Sequence, residues 1–422
     1  MGATKVAALH FGYADGLRAL AVIYVFIYHM GYAAAPPFGH SVRIADVLMA
    51  FNPVDMFFIL SGFLLAGPFL RSYLHDGRDF PLVSGYAAAR AYRCFPVYYV
   101  GLTIISLYLW FAHQPPTVWD VVSHALFIED FSPSTAQTLS GPLWTLAVDV
   151  QFYIALPILF WFLYKYTRAQ SRQRRIAILC WTLAAMTVAS VAYRYIVQVT
   201  VDPETWEQQI VYLHQLPGMS CVLAAGIGAR AFLETATAEL RRRLLGSPWL
   251  LIAGALALHP IDWAFDVHYD RMMALRIGKF GIGTALFSIS DFIAAIACVL
   301  VVLALAGSPA NPISRLLSSR FFAFASTLSF AFYIFHETVL QAFTGRTPHP
   351  SWTLFAVSTA LSLAVLVPLC YLEYRFVETP FLKIKSTLKR SKQVHVPDLS
   401  DVRRMGATVV DASLFPGTSE QG

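Results

Sequence analysis

The chain has 422 residues, of which 57% are hydrophobic and only 13% are charged, and its formal net charge is +6. Soluble domains carry about 25% charged residues, so this composition excludes an ordinary soluble domain and predicts an integral membrane protein. The sequence has neither a basic face interleaved with aromatics nor a known nucleic-acid-binding module, so no nucleic-acid partner is predicted. The five cysteines lack the spacing of a disulfide framework or a metal site, and no bound metal is predicted.

Ten apolar segments along the chain are long enough to cross a bilayer, for which about 20 residues are needed. They cover roughly residues 17–35, 48–70, 92–112, 143–164, 176–199, 211–230, 248–266, 285–307, 321–343 and 353–374. The sixth segment is interrupted by His214, Pro217 and several glycines, which is typical of a broken helix that lines a cavity. The predicted fold is an all-α integral membrane bundle of about ten transmembrane helices.

The basic residues indicate which way this bundle is oriented. With the N-terminus inside, most of the 31 Lys and Arg residues fall in the inner segments and the tail, whereas the outer segments are acidic. This is the asymmetry that the positive-inside rule requires. We therefore expect cytoplasmic N- and C-termini, a transmembrane domain at residues 1–382 and a poorly ordered cytoplasmic tail at residues 383–422.

The first apolar segment carries two ionisable side chains, Arg18 and His29. At 100° per residue, the eleven steps between them bring both side chains to one helix face, about 16 Å apart along the axis. An ionisable residue inside a bilayer is by default a functional hypothesis. The alternative is a histidine satisfied by a neighbouring helix and an arginine that only reaches the lipid headgroups. Asp15 and Arg18 flank the run closely, which favours a retained helix over a cleaved signal peptide.

The polar residues of the predicted helices fall into two groups by depth. In the outer half or near the midplane are His29, Asp55, Ser61, Asp149, Gln151, His336 and Glu337, and at the inner ends are Arg18, Arg90, Arg93, Glu373, Arg375 and Glu378. Histidine can act as both base and acid near neutral pH. A carboxylate such as Asp149 could orient and stabilise the imidazole of His29. The alternative is a buried structural pair between two helices, and depth alone does not separate the two interpretations.

Arg90 and Arg93 lie one turn apart at the predicted start of the third helix. There the positive end of the helix dipole would add to their charge and form an anion site. Bidentate contacts from arginine suit phosphate groups. The alternative, which holds for most arginines at inner helix ends, is ordinary anchoring by the positive-inside rule.

Six blocks of sequence occur in an order that resembles the acyltransferase-3 family of bacterial integral-membrane O-acyltransferases. They are DGLRALAVIYVFIYH with the Arg18-x10-His29 signature, VDMFFILSGFLL (54–65), RAYRCFPVYY (90–99), GPLWTLAVDVQFYIALP (141–157), SFAFYIFH (329–336) and LEYRFVETPF (372–381). The fourth block of the family usually has glutamate where this chain has Asp149. The shorter side chain reduces the reach of the carboxylate toward His29.

The resemblance implies a multi-pass enzyme of the bacterial inner membrane that transfers an acyl group, acetyl by family frequency, to a hydroxyl of a carbohydrate or glycolipid acceptor. The donor would be cytoplasmic acetyl-CoA or another acyl-CoA, with its phosphates near Arg18, Arg90 and Arg93. His29, Asp149 and His336 would be the catalytic residues, and direct transfer and an acyl-histidine intermediate both stay open.

Two other interpretations of the buried polar residues remain. One is a proton-coupled transporter or flippase of a glycan or lipid-linked substrate, in which the buried histidines and Asp149 relay protons. The lack of an internal repeat argues against it. The other is the membrane-bound O-acyltransferase family, which also depends on histidine, but the early position of the Arg18 and His29 signature favours acyltransferase-3.

Overall fold

The computed structural model describes residues 12–36, 53–201, 211–267, 276–277, 280–308, 310–345 and 350–384, without the side chains of 259–267, 276–277 and 280. The α-helices are α1 (Gly12–Ala34), α2 (Pro53–Leu74), α3 (Val83–Phe111), α4 (Val118–Ala125), α5 (Trp144–Thr167), α6 (Arg172–Thr200), α7 (Leu216–Thr235), α8 (Ala238–Leu245), α9 (Pro248–Val267), α10 (Ile282–Gly307), α11 (Pro312–Leu317), α12 (Arg320–Thr344) and α13 (Trp352–Glu373). Short 3₁₀ turns at Glu129–Phe131 and Gly141–Leu143 precede α5, and a π-helical turn at Tyr374–Glu378 follows α13. The two-residue strands β1 (Arg276–Ile277) and β2 (Phe280–Gly281) pair antiparallel.

Nine helices within these ranges are long and apolar enough to cross a bilayer. Helix α9 spans Pro248–Val267 and coincides with the remaining segment predicted from the sequence. The predicted all-α membrane bundle is therefore confirmed. The cytoplasmic position of the termini stays a prediction, and residues 385–422 of the predicted tail lie outside the described residues.

The predicted interruption of the sixth apolar segment is present in the structure. Residues 211–213 are helical, a turn follows at His214 and Gln215, and α7 begins at Leu216 with Pro217 in its first turn. Proline is tolerated there because its missing N–H would have no partner inside the helix. The turn leaves the Gln215 amide free to donate a hydrogen bond to the backbone oxygen of Asp130 at 2.8 Å. The break thereby anchors the segment that leads into α5.

The segment between α3 and α5 folds back against the bundle. The Tyr98 hydroxyl of α3 donates to the backbone oxygen of His124 at 2.9 Å, and the Gln151 amide of α5 donates to both carboxylate oxygens of Asp130 at 2.9 and 3.0 Å. Glu129 is fully buried beside Asp130. Burial raises the pKa of the Glu129 carboxyl to about 8, so this group is largely uncharged at neutral pH, which lowers the cost of burying it.

Helices α2 and α7 cross at a contact made by two glycines. A Cβ atom at Gly226 would overlap the carbonyl oxygen of Ile59, and a Cβ atom at Gly62 would overlap that of Leu223. Small residues allow such close approach of helix backbones in membranes. The crossing holds α2, which is the most buried of the described spans, against the rest of the bundle.

We expect Gly226→Ala to destabilise the protein by about 1–3 kcal/mol, because the added methyl group has no space at this crossing. The measurement is the apparent melting temperature of purified protein in detergent. Gly228→Ala is the matched control on the same helix, because its Cβ would meet only the Leu183 side chain at an ordinary 3.8 Å. Equal melting temperatures for the two variants would show that the crossing is not tight.

Candidate active site

A cleft with a cavity volume of about 90 Å³ lies among α1, α2, α3, α5 and α12. Three arginines line it, Arg18 from α1 and Arg90 and Arg93 from α3. The structure therefore brings together the three residues that the sequence predicted for an anion site. The Nε atom of Arg90 is buried and has no hydrogen-bond partner within the described chain. Guanidinium groups held in this way suit multiply charged phosphate groups.

The predicted position of Arg90 and Arg93 at a helix start is wrong. Helix α3 begins at Val83, about two turns before Arg90, because the stretch VSGYAAA also takes up the helix. The field of a helix dipole falls off within its first turn. The positive potential of the cleft therefore comes from the guanidinium charges and not from the end of the helix.

Asp149 lies in this arginine cleft. Tyr153, one turn later on α5, donates a hydrogen bond from its hydroxyl to Asp149 Oδ2 at 3.2 Å, and the Ser61 hydroxyl of α2 also interacts with this carboxylate. The carboxylate also interacts with the charges of Arg18 and Arg90. Its position indicates that Asp149 offsets part of the positive charge of the cleft and holds the Tyr153 hydroxyl.

His29 pairs with His336, not with Asp149. His29 Nδ1 lies 2.9 Å from His336 Nε2, and the two rings are stacked with centroids 5.0 Å apart. Within the described residues no hydrogen bond joins His29 to Asp149, so the predicted orientation of His29 by that carboxylate is wrong. The physical reason is that α1 packs along α12, whereas Asp149 on α5 faces the arginines.

The hydrogen bonds of this pair determine where its protons lie. His336 Nδ1 is 2.7 Å from the backbone oxygen of Tyr333, and because a carbonyl oxygen can only accept, this nitrogen carries the hydrogen. His336 Nε2 is then an acceptor, and the hydrogen between the two rings belongs to His29 Nδ1. The remaining nitrogen, His29 Nε2, keeps its lone pair. His29 is therefore arranged as a base, and His336 holds its ring in place.

Tyr333 joins the cleft to the histidine pair. Its side chain lines the cleft, and its ring packs against His336 with centroids 5.5 Å apart. Its hydroxyl is hydrogen-bonded at 3.0 Å to the hydroxyl of Thr145, which also lines the cleft. The sequence reasoning missed Tyr333 and Thr145, although the spacing of three residues between Tyr333 and His336 places both on one face of a helix.

Among the other polar residues that the sequence singled out, Ser61 lines the cleft, and three more have contacts with other parts of the chain. Gln151 is bound to Asp130, and Glu337 accepts hydrogen bonds from Ser140 at 3.1 Å and Gln341 at 3.2 Å. Glu378, in the π-helical turn, interacts with the charge of Arg93. These residues connect the loops and the last helix to the site. Among the side chains that the structure describes, no group of three His, Cys, Asp or Glu could hold a metal ion.

We predict that His29 is the base, and we expect His336→Ala to lower the reaction rate by about 10–100-fold, as the loss of the hydrogen-bond partner of a metal-bound imidazole does. The measurement is kcat as a function of pH. A change in the shape of the pH profile would indicate that the hydrogen bond to His29 matters, which loss of packing alone does not explain. An unchanged rate and profile would contradict the role of His336.

Comparison with known proteins gives the class of this site. A family model described as an acyltransferase domain, that of acyltransferase-3, matches residues 11–371. The chain belongs to the acyltransferase-3 family. The family predicted from the six blocks is thus confirmed, and at the level of the family so is the prediction that the chain is an acyltransferase. The match includes every residue named above for the cleft and the histidine pair.

Two relatives show how far the similarity extends. Nodulation protein 10 of Rhizobium leguminosarum bv. viciae is 22% identical over 372 residues, which cover 82% of this chain and 86% of that protein. Peptidoglycan O-acetyltransferase OatA of Listeria monocytogenes is 23% identical over 391 residues, which cover 87% of this chain but only 55% of that protein. The chain thus spans about half the length of the Listeria protein. No solved structure matches the chain.

Proposed function

We propose that this protein is a membrane-embedded O-acyltransferase that moves an acyl group, acetyl in the first instance, from cytoplasmic acyl-CoA to a hydroxyl of a carbohydrate or glycolipid acceptor. One observation carries the proposal: a cleft lined by three arginines reaches Tyr333, whose ring packs against His336, the hydrogen-bond partner of His29. The cleft provides an anion site, and the pair provides a base beside it. Transfer from a phosphorylated carrier requires both.

The donor would bind in the cleft with its phosphates against Arg18, Arg90 and Arg93. Aromatic side chains, including Phe57 and Phe330, line the same cleft and would contact the less polar arm that carries the thioester. We propose that the arginines lie toward the cytoplasm, as the excess of basic residues in the inner segments predicts. Bacterial acyl-CoA is cytoplasmic, so this orientation brings the donor to the arginine end of the site.

The acceptor hydroxyl would approach His29 Nε2, the nitrogen that keeps its lone pair. His29 takes the proton of the hydroxyl as its oxygen attacks the thioester carbon, and the charge on the imidazole is shared with His336 through their hydrogen bond. When the C–S bond breaks, the same proton can pass to the departing thiolate. An acyl group carried on His29 Nε2 is the variant of this scheme, because the same lone pair is available as a nucleophile.

The test uses purified protein with acetyl-CoA labelled in the acetyl group. Wild-type protein should release CoA in a time-dependent manner in the presence of acceptor-containing membranes, and mass spectrometry of the glycans should then locate the added acetyl group. Absence of both turnover and acetyl-CoA binding would contradict the proposal. That result would favour the transporter interpretation, in which the buried histidines relay protons.

A further inference from the structure

Tyr333 lies where the donor and the base must meet. Its side chain is only 6% exposed, and its ring contacts the His336 ring and the Phe57 ring, with a centroid distance of 5.5 Å in each case. These two contacts restrict the direction of the phenol. Since Tyr333 and Thr145 both line the cleft, the hydroxyl group lies at the cleft wall and not in the interior of the bundle.

The Tyr333 hydroxyl is held by the hydroxyl of Thr145. The two oxygens are 3.0 Å apart, and Thr145 Oγ1 also lies 3.0 Å from the backbone oxygen of Pro142. Thr145 has one hydrogen for these two contacts, and because a carbonyl oxygen can only accept it, Thr145 Oγ1 is left to accept the hydrogen of Tyr333. A negatively charged oxygen is a stronger acceptor than a neutral hydroxyl, so an oxyanion in the cleft would take this hydrogen in place of Thr145. The site therefore contains a fixed hydroxyl that can donate to an oxyanion.

We propose that the Tyr333 hydroxyl is the oxyanion donor of the acyl transfer, an inference that rests on the proposed function. The acceptor oxygen forms a bond to the thioester carbon while its proton moves to His29 Nε2. The electron pair of the C=O double bond moves to the carbonyl oxygen, which accepts the hydrogen bond of Tyr333. The C=O bond then re-forms, the C–S bond breaks, and the CoA thiolate takes the proton from His29. The phenol keeps its own proton throughout.

The hydroxyl group of Tyr333 is not needed to hold the histidine pair. A role as oxyanion donor gives a reason for its position beside that pair. His336 is fixed by the backbone oxygen of Tyr333, a contact that phenylalanine would retain. Removing only the hydroxyl should therefore leave the His29–His336 pair in place. Loss of one oxyanion donor lowers kcat by about 10²–10³-fold in enzymes where it has been removed.

The experiment compares Tyr333→Phe with Tyr73→Phe, in purified full-length protein. Tyr73 is likewise buried, and its hydroxyl donates to the backbone oxygen of Arg175 at 3.1 Å, outside the cleft. Tyr333→Phe should lower kcat for CoA release by about 10²–10³-fold, with the dissociation constant of acetyl-CoA changed by less than about threefold. Tyr73→Phe should retain wild-type kcat.

A spectroscopic readout tests the contact itself. The donor for this readout is acetyl-CoA labelled with ¹³C at the thioester carbonyl. Its carbonyl stretching frequency should be lower when it is bound to wild type or to Tyr73→Phe than when it is free in solution. The shift should be lost with Tyr333→Phe. If that variant does not fold, Thr145→Val and Thr145→Ser replace it, since only the serine keeps the hydroxyl that holds the Tyr333 hydroxyl in position. We then expect a lower kcat and a smaller carbonyl shift with the valine, and near-wild-type values with the serine.

The outcomes separate this inference from the proposed function. Wild-type turnover together with an unchanged kcat or an unchanged carbonyl shift in Tyr333→Phe would overturn the oxyanion role alone. Loss of acetyl-CoA binding without loss of kcat would overturn it too, since the hydroxyl would then serve binding. Failure of the wild type to turn over acetyl-CoA would overturn the proposed function and this inference with it.

Discussion

His29→Ala should lower kcat by about 10²–10⁴-fold, the usual contribution of a general base, while the protein stays folded and continues to bind acetyl-CoA. The reason is the assignment of protons in the histidine pair. In this pair, only His29 Nε2 keeps a lone pair that is not used in the hydrogen bonds of the pair, and alanine removes it without touching the arginines that we propose bind the donor. The measurement is the rate of CoA release at saturating acetyl-CoA, together with the dissociation constant of the donor.

His75→Ala is the matched control for His29→Ala. His75 is 41% exposed and lies near Glu234, away from the cleft, so its loss should leave kcat unchanged. Rapid quenching followed by mass spectrometry of the peptide containing His29 distinguishes direct transfer from an acyl-histidine intermediate. Full activity of a folded His29→Ala protein would exclude His29 from the chemistry in either form.

Arg90→Gln and Arg93→Gln should each raise KM for acetyl-CoA by about 10–100-fold, because a hydrogen bond to a charged group contributes about 1.5–3 kcal/mol. The two guanidinium groups line the cleft one turn apart and would contact the donor phosphates. The effect on kcat should be smaller, since neither residue lies beside the histidine pair. The measurement is the steady-state kinetics at several salt concentrations, because screening weakens such contacts.

A donor without phosphates makes this test specific. S-acetylpantetheine carries the same thioester as acetyl-CoA but has no phosphate groups, so its KM should be high in wild type and nearly unchanged by either substitution. Arg241→Gln, an exposed change on α8, is the control and should alter neither donor's KM. If either arginine substitution raised KM equally for both donors, the arginines would support the fold and not the recognition of phosphate.

Much of the fold follows from the sequence because crossing a bilayer places strong demands on length and composition. An uninterrupted apolar run must become a helix, since lipid offers no partner for free backbone groups. The sequence predicts the interruption at His214 and Pro217 for the same reason, because proline and polar side chains cannot continue such a run unless protein surrounds them. The spacing of Arg18 and His29 likewise places both on one face once α1 is a helix.

The start of α3 shows where this reasoning fails. The stretch before Arg90 is rich in alanine and less apolar than the span itself, so hydropathy did not include it, although alanine favours helix strongly. The structure continues the helix back to Val83. Hydropathy reports which residues can lie in lipid, and a helix can extend beyond that region.

The sequence by itself determined the class of protein and its apolar spans, and it predicts the depth of each polar residue, because these depend on local composition and on the bilayer thickness. Only the tertiary structure decided which residues meet. His29 and His336 are 307 residues apart in the chain, and nothing local to either one indicates the other. The same is true of Tyr333 and Thr145. Depth follows from hydropathy, but the rotation and neighbours of a helix are set by close packing, as at the glycine crossing of α2 and α7.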